Sequence, residues 1–113
     1  MSTGTGMSPE TLKGHLELLL LAALERGPSH GYAVAETLRG RSAQAFDLPE
    51  GTLYPALHRL ERAGLLSSRW SDESGRRRRV YQLTARGHRS LAKRRGEWRA
   101  FSKAVQAVVV QRS

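Results

Sequence analysis

Four consecutive arginines, Arg76-Arg77-Arg78-Arg79, follow directly on the turn-forming residues Asp72-Glu73-Ser74-Gly75. Guanidinium groups clustered beside a tight turn suit contact with nucleic-acid phosphates or entry into a minor groove. A second group lies earlier in the chain, at Gly51, Thr52, Tyr54, Pro55, His58 and Arg59. Gly51, Thr52 and Pro55 are compact enough to let a helix approach base edges in a major groove, while Tyr54, His58 and Arg59 supply reach and hydrogen bonds. Each group also has a plainer reading. An arginine run can be a solvated face, and alternation along a strand keeps the four from all pointing one way. His58 can be a surface residue without a partner. Tyr54 is divided between core packing and DNA contact, and Tyr32 reads as structural, with a hydroxyl that is a secondary candidate for a phosphate.

Other chemistries fail for lack of parts. The 113 residues include no cysteine, which excludes a disulfide framework, a thiolate zinc site and a cysteine nucleophile. His15, His30, His58 and His88 show no ligand-pair spacing, so no metal is expected. A Gly-rich phosphate loop, paired catalytic carboxylates and a nucleophile elbow are all missing, which points away from an enzyme and from any cofactor. Charge points the other way. Nineteen Lys and Arg oppose 10 Asp and Glu, a net +9 that attracts polyanions. The longest apolar run, Leu18 to Leu24, is far short of a bilayer span, and Glu25-Arg26-Gly27-Pro28 follows where a signal-peptide cleavage site would sit. The reading is a cytoplasmic protein with no membrane partner.

The elements that hold the two basic groups follow from periodicity. Residues 1–7 read as a flexible tail, with Met7 as an alternative start. Ser8-Pro9-Glu10-Thr11 opens a helix that runs to about Arg26. That helix is apolar nearly all round, through Leu16, Leu18, Leu19, Leu20, Leu21 and Leu24, and so asks for burial on more than one side. A chain this short can cover one side; the other calls for a second subunit. Ser29 caps a second helix from His30 to about Leu38, ended by Gly40. Phe46 and Leu48 dip into the core from the loop that follows. Pro49 to Ala63-Gly64 forms a third helix with Leu53, Leu57 and Leu60 inward, and Pro55 must lie in or near its first turn. Residues 65–71 and 77–84 make a β-hairpin. Thr84 caps a last helix to about Val110, with Leu91, Trp98 and Val105 at heptad spacing and Phe101 and Val108 beside them.

Short helices, a polar-faced third helix and a basic hairpin make a winged helix-turn-helix. The fold class is mainly α with a small β-hairpin, in the order helix, helix, helix, hairpin, helix. Residues 8–84 form the DNA-binding domain and residues 85–113 a C-terminal dimerisation helix. The sequence resembles the PadR family of bacterial transcriptional regulators, in particular its short subfamily with a single C-terminal helix. The resemblance is carried by Leu18-Leu-Leu-Leu-Ala-Ala-Leu24, His30-Gly-Tyr32, Gly51-Thr-Leu-Tyr-Pro-Ala-Leu-His-Arg-Leu-Glu61 and Ala63-Gly-Leu65. It continues through Trp70, Gly75-Arg-Arg-Arg-Arg-Val-Tyr-Gln-Leu-Thr84 and Gly87, spanning residues 8 to about 105. What it implies is a homodimeric winged-helix repressor of promoter DNA, released by a small molecule or a stress signal. In relatives that bind flat aromatic drugs, a tryptophan at the place of Trp98 lines a pocket between subunits.

The expectations are therefore specific. Gly51, Thr52, Tyr54, Pro55, His58 and Arg59 with Arg76 to Arg79 contact double-stranded DNA, an inverted-repeat operator. Leu16, Leu19, Leu20, Leu91, Trp98, Phe101, Val105 and Val108 form the homodimer interface. Trp98 is either interface packing or, facing its symmetry mate, one half of a site for a planar effector. Two other readings remain: an effector-independent nucleoid or RNA-binding protein, for which +9 suffices, and an adaptor that binds another regulator. Specific against non-specific affinity separates the first from an operator-binding repressor.

Overall fold

Eight residues rich in leucine, Leu16–Ala23, form helix α1. The computed structural model describes residues 12–110, apart from the Ser74 side chain, so the expected tail and the Ser8-Pro9-Glu10-Thr11 cap lie outside the described residues. The helix is shorter than its composition suggests. The backbone turns at Gly14 and His15, and after Ala23 the amides of Leu24 and Glu25 reach back only three residues, to Leu21 and Ala22. This tightening ends the helix before Arg26.

Ser29–His30 then forms a two-residue strand, β1, that sequence periodicity is too short to reveal. Helix α2 covers Gly31–Arg41. Its cap is His30, whose Nδ1 lies 3.2 Å from the Ala33 amide, and not Ser29, whose hydroxyl donates to the His30 carbonyl. Gly40, expected to end the helix, lies inside it with an open surface around it. The stop comes from Ala43 and Gln44, both at positive φ (52° and 71°), which let the Gln44 amide reach the Arg39 carbonyl at 2.7 Å.

Helix α3, Glu50–Arg62, buries Leu53, Ala56, Leu57 and Leu60 and exposes Gly51, Thr52, Pro55, His58, Arg59 and Arg62. Pro55 is its sixth residue, just past the first turn; on the exposed side it removes a donor for the Gly51 carbonyl without ending the helix. Gly64, at φ 81°, turns the chain into β2, Leu66–Ser71. A 3-10 turn at Glu73–Gly75 leads into β3, Arg78–Leu83. The sheet is antiparallel in the order β1-β3-β2, with Leu66 opposite Leu83 and Trp70 opposite Arg79. Thr84 fastens the last element: its hydroxyl donates to the Gly64 carbonyl at 2.7 Å and accepts from the Gly87 amide at 3.0 Å, capping α4, Ala85–Val109.

Helix α1 is covered by α2, α3 and α4 of its own chain. Leu16, Leu20 and Leu91, expected at a subunit interface, are accordingly buried in the protomer core beside Leu21, Leu24 and Leu57 and have almost no surface left for a partner. Leu48 is buried and Phe46 half-buried against the same core, as expected of that loop. Arg94–Glu17 (3.0 Å) and Arg95–Glu25 (2.7 Å) tie α4 to α1 and to the residues just past it.

Candidate nucleic-acid interface

Amphipathicity sets the first half of the site. Because Leu53, Leu57 and Leu60 must face the core, α3 turns Gly51, Thr52, Pro55, His58 and Arg59 outward together. Tyr54 stands between the two faces. Its ring lies so close to Gly31, the first residue of α2, that a Cβ there would come within 2.5 Å of Tyr54 Cε1. Tyr54 thus locks α3 to α2 by packing, the structural side of its two readings.

Alternation along β3 splits the arginine run in two. Arg77 and Arg79 share the face of Trp70, with Cζ atoms 4.8 and 5.1 Å from its ring centroid. Arg79 also donates through Nε to Ser68 Oγ at 2.9 Å, and its Nη2 lies 3.9 Å from Glu61, which accepts from Ser68 at 2.7 Å. Arg78 points to the opposite face, where Nη1 lies 2.7 Å from His30 Nε2. Arg76 and Arg77 are exposed at the tip, whereas Arg78 and Arg79 are half-buried by these partners. The sequence marks all four as candidate DNA-facing cations that cannot all point one way; Arg78 and Arg79 are held by hydrogen-bonding side chains of the protein, and Arg77 lies over Trp70.

Of two further residues near this surface, the sequence left Trp70 out and gave Tyr32 only a secondary part. Trp70 is 53% exposed and forms an aromatic ledge under two guanidiniums. The signal was its place opposite Arg79 in a hairpin. Tyr32, read as structural, is exposed, lies parallel to the His30 ring (6.5 Å, 16°), and has its phenol held above the usual tyrosine range by Glu36. His30 itself is pushed below the ordinary histidine range, by burial first and then by the Arg78 charge.

The transcriptional regulator PadR-like family matches this chain over residues 20–93, which takes in α2, α3, the hairpin and the start of α4. The chain belongs to that family. A transcriptional regulator of Clostridium thermocellum has the same fold with a TM-score of 0.81 at 28% identity, over 88% of this chain and 98% of its own. A PadR family transcription regulator of Clostridium difficile gives 0.74 at 36% identity, over 87% of this chain and 100% of its own. A transcriptional regulator of Mycobacterium tuberculosis is 42% identical over 66 residues, 58% of this chain and 59% of that protein. The chain is a transcriptional regulator with a winged helix.

Away from that surface, this PadR-like regulator exposes Trp98, Phe101, Val105 and Val108 along α4. Trp98 packs against its own chain: His15 meets its ring edge-on at 5.2 Å and Phe101 lies 6.2 Å away. Beside it runs an apolar groove of about 500 Å³ lined by Leu12, Leu18, Leu19, Ala22 and Phe46. Leu19 is thus half-exposed on a groove wall, unlike Leu16 and Leu20. Among the described residues no His, Asp or Glu cluster could hold a metal, and no helix is long and apolar enough to cross a membrane.

Proposed function

We propose that this regulator binds an inverted-repeat operator in double-stranded DNA as a homodimer and represses the adjoining promoter from the cytoplasm. The observation that carries the reading is the outward face of α3, polar and compact at Gly51, Thr52 and Pro55, on the same molecule as a hairpin tipped by Arg76 and Arg77. In this reading α3 enters the major groove, Thr52, His58 and Arg59 meet base edges, and the wing arginines meet phosphates. Residues 8–84 are the DNA-binding unit and 85–113 the dimerising one. Trp98, Phe101, Val105 and Val108, all exposed on α4, are the surface for the second copy, with Leu19 at its margin.

Selection of bound duplexes from random DNA tests this directly. The expected product is an inverted repeat with half-sites about 10 base pairs apart or a multiple of that. Thr52→Ala and His58→Ala should then relax discrimination between operator and mutant operator by about 1–3 kcal/mol where they read a base. Recovery of no common sequence would instead support the effector-independent, non-specific reading, which the +9 charge favours.

The apolar groove at Trp98 supports a further element, release by a planar compound that fits between α1 and α4. A planar dye should bind wild type, lose affinity for Trp98→Ala, and lower operator affinity. Dye binding without loss of operator affinity would leave Trp98 as packing.

A further inference from the structure

His30 stands where three elements meet: it ends β1, occupies the N-cap position of α2 and pairs with Val80 of β3. Its two ring nitrogens face two different N–H donors. Nδ1 lies 3.2 Å from the Ala33 amide, and Nε2 lies 2.7 Å from Nη1 of Arg78. A guanidinium only donates, and a neutral imidazole offers one acceptor nitrogen and one N–H. Burial and the Arg78 charge keep the ring neutral at pH 7. The ring therefore satisfies one donor at a time. When Nε2 accepts from Arg78, Nδ1 carries the proton and the first turn of α2 loses its cap. When Nδ1 caps Ala33, the proton sits on Nε2 and faces the guanidinium, which must move away.

We propose that His30 is a positioning residue for DNA binding, holding Arg78 against β1 in the free protein and releasing it to a backbone phosphate as the ring changes tautomer to cap α2. The inference rests on the DNA-binding reading above. The proton moves from Nδ1 to Nε2 by exchange with water, so none is gained or lost overall. The bond given up by Arg78 is replaced by the cap, which makes release inexpensive. Arg79 has no such arrangement, since Ser68 and Glu61 hold it on the other face. Of the two held arginines, Arg78 is the one whose holder has a second use.

Ring-nitrogen NMR shifts of the full chain labelled with 15N-histidine read the tautomer directly. Three samples decide: free wild type, free Arg78→Ala, and wild type saturated with a random-sequence duplex at low salt. Free wild type should show the proton on His30 Nδ1, and both other samples should show it on Nε2. The same tautomer in all three, or Nε2–H already in free wild type, would overturn the inference. The duplex sample uses wild type and so does not depend on the variant folding. Failure of wild type to bind the duplex would overturn the DNA-binding reading, whereas binding with an unchanged tautomer would overturn only the role of His30.

Discussion

The same substitution at two glycines of α4 should act with opposite sign. Glycine in a helix costs about 0.5–1 kcal/mol relative to alanine through the freedom of its unfolded backbone. At Gly96 nothing lies within 4 Å of an added Cβ, so Gly96→Ala should recover that amount. At Gly87 the added Cβ would overlap the Leu65 carbonyl oxygen and lie 3.1 Å from its carbon and 3.3 Å from Leu83 Cδ2. That carbonyl is backbone and accepts from the Thr84 amide at 3.1 Å, so it cannot swing aside freely. Overpacking of this kind costs roughly 1–3 kcal/mol, and breaking that hydrogen bond adds about 0.5–1.5 kcal/mol. After the helix gain is subtracted, Gly87→Ala should destabilise by about 0.5–4 kcal/mol, and because that gain is common to both variants it should lie about 1.5–4.5 kcal/mol below Gly96→Ala. Urea unfolding at one fixed protein concentration measures both, since in the proposed dimer the midpoint would depend on concentration. A Gly87→Ala midpoint equal to or above wild type would refute the claim that α4 seats on the α3–β2 corner by close backbone contact.

Val105→Asp should yield folded monomers by light scattering, because Val105 is exposed on α4 and outside the protomer core; a persisting dimer would move the interface elsewhere. Arg76→Ala and Arg77→Ala should each make DNA binding less sensitive to salt, the log–log slope falling by about 0.9 for every phosphate left without its cation. Arg79→Ala should also lower stability, within about 1 kcal/mol for a half-buried ion pair still open to solvent, as Glu61 and Ser68 lose it. Stability should fall as pH drops below about 6.5, because the unfolded chain accepts a proton at His30 that burial and Arg78 refuse in the fold. The contribution is complete above the unfolded value and lost as pH falls through the lowered folded one. His30→Gln should flatten that part of the curve in unfolding titrations.

The regular parts of the fold were legible because their signals are local. Leu53, Leu57 and Leu60 oriented α3, and the turn at Asp72 to Gly75 gave the hairpin. Thr84 announced α4 by a side chain three residues from the amide it caps. What failed depended on tertiary partners. Leu16, Leu20 and Leu91 look identical whether buried by a second chain or by α2, α3 and α4 of their own, and hydropathy cannot tell the two apart. Ser29 is the better cap by type, yet strand pairing of Ser29 with Tyr81 shifts the capping position to His30. Gly40 was a reasonable stop by composition; the left-handed backbone at Ala43 and Gln44 carries no residue signature. On the wing, alternation was foreseen, but that Trp70 and Glu61 would engage one face and His30 the other was not.

Helix α4 also behaves as a lever. The molecule measures 57 Å along its longest axis and 21 Å along its shortest. From Gly87, where the proposed DNA-binding domain is fastened, to Val105 is roughly 27 Å at 1.5 Å per residue. In a dimer joined at Val105 and Val108, a tilt of about 7° at the seam moves that domain by roughly 3.4 Å, the rise of one base pair. Arg94–Glu17, Arg95–Glu25 and the His15–Trp98 contact brace the arm against α1 on both sides of Gly96, so in such a dimer its compliance lies in the exposed stretch from Phe101 to Val108. If the chain binds its operator as the proposed dimer, a site spaced one base pair wide or narrow would be met by a small bend in that stretch, and stiffening it would narrow the range of spacings the pair could span.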